Sequence, residues 1–187
     1  MKDVNEMTIY IQRAKAGDIQ AFTAIVTNYQ RMIFTIILKI VGNREDAEDI
    51  TQEVFIKIFK SLRKFRGESS FSTWIYRIAY NTTLSELRKK KPAFYSIDEN
   101  SSAVNDADTM DSDYETKEIK LQYLNESLKK LSPDELFLVT LYYSQEQSIE
   151  EVSKISNLSV SNVKVKLHRI RKKLAVEINL LMQNEDK

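Results

Sequence analysis

The chain has 187 residues, of which 42% are hydrophobic and 29% charged, the composition of an ordinary soluble globular protein. It contains no cysteine, which excludes disulfides and thiolate metal sites. The formal net charge of +1 conceals an uneven distribution: basic residues dominate 60–91 and 164–173, whereas acidic residues dominate 98–118. Two basic stretches on one chain are typical of a protein that binds one polyanion at two places.

The apolar residues follow helical spacing, which predicts an all-α fold without strands. Glycine, proline and the capping residues Asp18, Asn43, Ser132 and Ser148 mark the breaks between helices. The predicted helices lie at about 5–16, 19–41, 44–62, 71–90, 113–131, 133–144, 149–156 and 160–180. The longest apolar run, 32–41, is too short to span a bilayer, and the N-terminus has no apolar secretion segment. We therefore expect a cytoplasmic protein.

The stretch at 92–112 separates two groups of predicted helices. It is rich in Ser, Asp and Asn and shows no helical period, which predicts a flexible acidic linker. The chain is therefore expected to form two small helical domains, at 1–91 and 113–187.

On the helix that begins after Asn43, one side is apolar and the other acidic. The acidic side carries Asp49, Gln52 and Glu53 around an apolar centre, Ile56. Such a surface fits a basic protein partner, and a face that merely keeps the helix soluble is an equal alternative.

The following helix combines aromatic and basic residues. Trp74 has the spacing of a packing residue. Tyr76, Arg77, Tyr80 and Asn81 surround the remaining surface and lead to the basic run at 88–91. Aromatic rings and amides beside a basic groove can hold unstacked bases. The alternative, that both tyrosines pack against the first two helices, stays open.

The C-terminal third predicts a helix-turn-helix. Ser148 and Glu151 form a capping box, Asn157 suits a left-handed turn, and Ser159 caps a second helix. The outward face of that helix would contact DNA, with a solvated charged face as the alternative. Its candidate contacts are Ser161, Asn162, Lys164, Val165, His168, Arg169 and Lys172. The single histidine, His168, has no partner at metal-binding spacing, so we expect no metal site.

Three segments together resemble one family. Residues 46–59 resemble the core-polymerase-binding signature of extracytoplasmic-function (ECF) sigma factors, in the sigma-70 family of bacterial RNA polymerase. Residues 65–81 resemble their promoter-melting and minus-ten-reading segment, and residues 163–174 their minus-thirty-five recognition helix. The resemblance covers nearly the whole chain.

The resemblance implies an alternative sigma factor, with no cofactor or catalytic centre, that directs promoter-specific transcription initiation. It implies core RNA polymerase and promoter DNA as partners, and an anti-sigma factor as an inhibitor. Implied polymerase-binding residues are Asp49, Gln52, Glu53, Phe55 and Ile56. Implied minus-ten residues are Phe65, Arg66, Ser69, Ser70, Tyr76, Arg77, Tyr80, Asn81 and Arg88.

Two other functions account for less of the sequence. An ordinary DNA-binding regulator would explain the C-terminal half but would leave the signature at 46–81 without a role. A nuclease is not supported, because the sequence has no glycine-rich phosphate loop and no histidine pair.

Overall fold

A computed structural model describes residues 4–90 and 114–185, so the predicted linker at 92–112 lies outside the described residues. Within these ranges the chain is helical and has no strand. The helices are α1 (Val4–Lys15), α2 (Ile19–Val41), α3 (Arg44–Ser61), α4 (Phe71–Lys90), α5 (Tyr114–Leu128), α6 (Pro133–Val139), α7 (Ile149–Ser156) and α8 (Val160–Glu185). A 3-10 turn, Leu62–Lys64, follows α3, and a π-helical turn, Thr140–Ser144, follows α6.

The predicted capping residues set the helix ends. Asp18 accepts a hydrogen bond from the backbone of Ala21 at the start of α2. Gly42 ends α2 in the left-handed region, with φ 75°, where an L side chain is disfavoured. Asn43 then caps α3 through the backbone N–H of Asp46.

In the first half of the chain, residues 4–90, α2 packs between α1 and α3, and α4 packs on α3. The isoleucines at 25, 33, 36 and 37 on α2 are buried to 1% exposure or less. Among the described helices, α2 has the length and apolar composition needed to cross a membrane. Its buried isoleucines pack against the other helices, which is how the core helix of a globular protein is built.

In the second half, residues 114–185, α6, α7 and the first half of α8 surround Val152, Ile155, Val163 and Leu167, all at most 4% exposed. These four side chains form the core between α7 and α8. The predicted end of α8 at 180 was too early. The helix continues to Glu185 and packs on α5.

The two halves are in contact. Helix α4 packs against α6 and α7, and α2 also touches α6. The buried apolar residues of both halves form one continuous cluster. The sequence alone predicted two helical units but gave no basis for this packing.

Candidate functional site

The predicted acidic face of α3 is on the surface. Asp49 and Gln52 are exposed, and Ile56 keeps 45% of its surface exposed. Glu53 is half-buried and lies 3.5 Å from the amino group of Lys57. The face is therefore negatively charged around an apolar centre, a combination that a basic protein surface with an apolar side chain would fit.

Phe55, which was also predicted for this surface, is buried instead. It is 8% exposed and belongs to the core, because successive helical residues are turned by about 100° and Ile56 faces outward. The prediction missed Phe59, which is 50% exposed and packs edge-on against Phe22 with ring centroids 4.9 Å apart. Its i, i+3 spacing from Ile56 was the available signal.

The loop from Phe65 to Ser70 is fixed at its start. The ring of Phe65 lies 5.2 Å from both Phe71 and Trp74, measured between ring centroids. The amino group of Lys15 donates a hydrogen bond of 2.8 Å to the carbonyl of Phe65. Helix α1 therefore positions a loop fifty residues away in sequence. Nothing in the sequence pattern indicated this role for Lys15.

An open cavity of about 850 Å³ lies beside this loop. Its cationic lining residues are Arg63, Lys64, Arg66, Arg77 and Lys154. Among the described residues, Glu68 is the one carboxylate that lines it. Such a charge balance attracts phosphate. The cavity brings together the predicted residues Phe65, Arg66, Ser69 and Arg77, whereas Lys154 comes from α7 and was not predicted.

The other predicted polar residues on α4 are also accessible. Asn81 and Arg88 are exposed, and so is Ser70 just before the helix. The side-chain amide of Asn81 donates to the backbone carbonyl of Arg77 over 2.9 Å. This bond leaves its side-chain oxygen as an acceptor that can face a nucleobase.

The two tyrosines of α4 are buried, Tyr76 to 2% exposure and Tyr80 to 7%. The hydroxyl of Tyr76 lies 2.8 Å from Sδ of Met32 and 2.8 Å from Oε1 of Gln145. Tyr80 donates a hydrogen bond to Asp134. Burial raises the pKa of both phenols, and the Asp134 carboxylate raises that of Tyr80 further. Neither ring is open to a nucleobase. The alternative of packing against the first two helices holds only in part: Tyr76 contacts Met32 of α2, whereas the partner of Tyr80 lies in α6 of the second half.

The helix-turn-helix is built as predicted. Ser148 and Glu151 form the capping box of α7. Asn157 adopts the left-handed region at φ 60° and turns the chain towards α8. Ser159 accepts a hydrogen bond of 3.2 Å from the backbone of Asn162 and so caps α8.

All seven candidate DNA contacts on α8 are exposed, and Val165 keeps 46% of its surface accessible. Lys166 and Lys173, which the sequence grouped with the basic stretch, are held by carboxylates of α6. The amino group of Lys166 lies 2.8 Å from Asp134, and that of Lys173 lies 3.0 Å from Glu135. Burial raises the pKa of Glu135, but hydrogen bonds from the Ser132 backbone and Lys173 outweigh it and leave the pKa below its ordinary value.

Comparisons with known proteins match both halves. The pattern of sigma-70 region 2 matches residues 25–92, and that of sigma-70 region 4 matches residues 121–174. The ECF RNA polymerase sigma factor SigW of Bacillus subtilis is 34% identical over 178 residues, covering 90% of this chain and 94% of SigW.

Two solved structures share the fold. CnrH in complex with the cytosolic domain of CnrY has a TM-score of 0.67 at 19% identity and covers 94% of this chain and 98% of that chain. RpoE from Bartonella quintana, in complex with the anti-sigma factor NepR, has a TM-score of 0.61 at 20% identity, covering 84% and 96%. Because both sigma-70 regions match in the expected order and a relative above 30% identity spans nearly the full length, this chain belongs to the ECF group of the sigma-70 family of RNA polymerase sigma factors.

Proposed function

We propose that this sigma factor works through three separate surfaces, in domains at 1–91 and 113–187 joined by the linker at 92–112. The acidic face of α3 recruits core RNA polymerase, the loop and helix at 65–88 hold the minus-ten region, and the outer face of α8 holds the minus-thirty-five region. The observation that carries the proposal is that each of the three surfaces has exposed predicted polar residues, among them Asp49, Asn81 and Arg169.

The polymerase surface consists of Asp49, Gln52, Glu53 and Ile56. Phe55 contributes to the core beneath it, since its ring is 8% exposed. Exposed charges mainly raise the rate of association, while an apolar centre contributes contact area. We assign the matching surface to the largest polymerase subunit on the basis of the family resemblance. Contact with the second-largest subunit is inferred in the same way.

The minus-ten surface is the basic cavity beside the loop. Arg63, Lys64, Arg66 and Arg77 supply positive charge for the strand backbone, and Trp74 and Phe65 supply aromatic surface. Holding a flipped base costs a few kcal/mol in unstacking, which stacking and hydrogen bonds in a cavity offset. The exposed amide of Asn81 is the group that we assign to base recognition.

The minus-thirty-five surface is the N-terminal half of α8. A recognition helix presents its first turns to base edges in the major groove and its basic flanks to phosphates. Arg169 has the side chain best suited to bidentate contact with guanine, while Lys164 and Lys172 suit phosphates.

We further propose that the chain acts in the cytoplasm, carries out no chemistry of its own, and is inhibited by an anti-sigma factor. Two of the structural neighbours are themselves bound to other proteins, one of them an anti-sigma factor, which supports the last point. RNA synthesis would belong entirely to the polymerase.

Run-off transcription with purified core RNA polymerase tests the proposal. The template is the promoter of the operon that encodes this protein, and the control template has its minus-thirty-five segment scrambled. We expect a discrete transcript from the first template alone. Equal transcription from both templates, or none from either, would refute the proposal.

A further inference from the structure

The basic cavity beside the loop carries positive charge that the protein leaves uncompensated. Five cationic side chains line it against one carboxylate, Glu68, within the ranges that the structure describes, and Glu68 lies 4.0 Å from Arg66. In the described part of the chain, the other four cations form no ion pair with a carboxylate: Arg63, Lys64, Arg77 and Lys154. All four are exposed. Unpaired cations that converge on one cavity attract an anionic ligand.

One wall of the same cavity is aromatic, formed by Trp74 and Phe65. The half-buried ring of Trp74 stacks on Phe71, with centroids 5.6 Å apart and an angle of 25° between the planes. Phe65 lies 5.2 Å from both of these rings. This packing holds Trp74 in position before a ligand arrives, so that little ordering is needed on binding. A planar base can stack on such a ring.

The cations of the cavity come from both halves of the chain. Arg77 lies on α4 and Lys154 on α7, and these two helices pack on each other. The minus-ten surface proposed above uses cations of the first half alone, so Lys154 is left without a role in it. The volume of about 850 Å³ is within the range of small-molecule sites, about 300–1,000 Å³. A compact polyanion is therefore a better fit to the complete lining than a strand backbone is.

From this lining we infer that the cavity is a regulatory site for a free nucleoside triphosphate. The base stacks on Trp74, and the phosphate chain lies between Arg77 and Lys154. A nucleotide joins a planar base to a polyanion, and the cavity offers a fixed aromatic ring and unpaired cations in one space. The nucleotide occupies the surface that the proposed function assigns to the minus-ten strand, so the two compete; this competition rests on the proposed function.

The test uses the fluorescence of Trp74, which is the single tryptophan of the chain and lines the cavity. ATP is titrated into the full-length protein in magnesium-free buffer, so that no metal neutralises its phosphates, and calorimetry follows the same titration. The test variant is Lys154→Gln. The matched control is Lys130→Gln, which removes an exposed lysine of the same half that lies outside the cavity. Inorganic tripolyphosphate, which has no base, serves as a competitor.

We expect ATP to quench Trp74 saturably. Lys154→Gln should weaken ATP binding about tenfold, the effect of losing one hydrogen bond to a charged group, whereas Lys130→Gln should change it by less than about threefold. Tripolyphosphate should bind about tenfold more weakly than ATP, because it cannot stack. Calorimetric binding without quenching, or no binding at all, overturns the site. Equal affinity of both lysine variants overturns the phosphate contact, and equal affinity of tripolyphosphate and ATP overturns the nucleotide assignment.

Two further measurements make the outcome decisive. A single-stranded oligonucleotide copied from the non-template strand of the cognate minus-ten region should displace ATP from the wild-type chain, and ATP binding that it does not displace overturns the competition. If Lys154→Gln does not fold, the wild-type titrations with ATP and tripolyphosphate decide alone. Run-off transcription separates the two proposals: specific transcripts without ATP binding leave the proposed function intact and overturn this inference, whereas ATP binding without transcripts does the reverse.

Discussion

The hydroxyl of Tyr76 and Oε1 of Gln145 lie 2.8 Å apart although the two residues are 69 positions apart in the chain. This bond joins the helix assigned to promoter melting to the segment that precedes the helix-turn-helix. The two DNA-binding modules are therefore not independent in this conformation.

Reversing charge on α3 should weaken polymerase binding. The double variant Asp49→Lys and Glu53→Lys places like charges against a basic partner, and we expect the Kd for core RNA polymerase to rise at least about tenfold. The control is Glu126→Lys on α5, whose carboxylate pairs with Lys129 outside the proposed surface. An exposed pair of this kind contributes little, so the control should bind within about threefold of wild type. Competition binding against the unmodified chain measures both.

Removing the guanidinium of Arg169 should reduce promoter discrimination. We expect Arg169→Ala to weaken binding to minus-thirty-five duplex by about tenfold or more, the usual cost of losing a base contact, while leaving affinity for polymerase unchanged. The control is Arg171→Ala, an exposed arginine on the same helix outside the predicted contact set. That variant should retain the preference for cognate over scrambled duplex. Loss of preference in both variants would contradict the assignment.

Lys15 should strengthen the binding of single-stranded DNA at the minus-ten surface without contacting the DNA itself. Lys15→Met removes the 2.8 Å bond to the Phe65 carbonyl and leaves the apolar stem in place, so the loop loses its anchor to α1. We expect about three- to tenfold weaker binding of the single-stranded minus-ten oligonucleotide, because a typical hydrogen bond contributes about 1 kcal/mol. Polymerase affinity should not change, and Lys15→Arg should restore most of the binding. A loss of helix content in Lys15→Met would point to a purely structural role.

Substitutions at Asn157 should separate backbone strain from side-chain effects. Its φ of 60° disfavours residues with a Cβ, and asparagine tolerates this better than most. Asn157→Ala should lower the free energy of unfolding by about 1 kcal/mol, whereas Asn157→Gly should change it by less than about 0.5 kcal/mol. The control is Asn125→Ala at an exposed position within α5. It should leave the free energy of unfolding unchanged or raise it, because alanine is the better helix former there. Chemical denaturation followed by circular dichroism measures all three.

The sequence predicted most of the local structure and little of the packing between the halves. Helix ends followed from Asp18, Asn43, Ser132 and Ser148, because capping is a local interaction whose partners lie within three residues. The outer face of α8 followed from helical periodicity alone. Family membership, predicted from three segments, was confirmed by both region matches.

The missed features depend on contacts between distant residues. Phe55 is the exception: only the family resemblance assigned it to the polymerase surface, and helical periodicity places it towards the core, where it is buried. Lys15, Lys154 and Asp134 acquire their positions from packing between elements that are far apart in the chain. Helical periodicity does not predict such contacts, because each one involves a single pair of residues and leaves no repeated pattern in the sequence.

The lowered pKa of Glu135 predicts an acid-sensitive second half. Because the folded-state pKa lies below the ordinary value of 4.5, the ionised carboxylate contributes stability that is present above that pH and is lost as pH falls through the folded-state pKa. Urea unfolding of the wild-type chain and of Glu135→Gln across this range should show a difference that is largest near neutral pH and shrinks below about 4.5. The control, Glu126→Gln, removes an exposed i, i+3 pair with Lys129 and should differ little from wild type at neutral pH. A Glu135→Gln difference that is equally large on both sides of 4.5 would show that shape, and not charge, accounts for the contribution of Glu135.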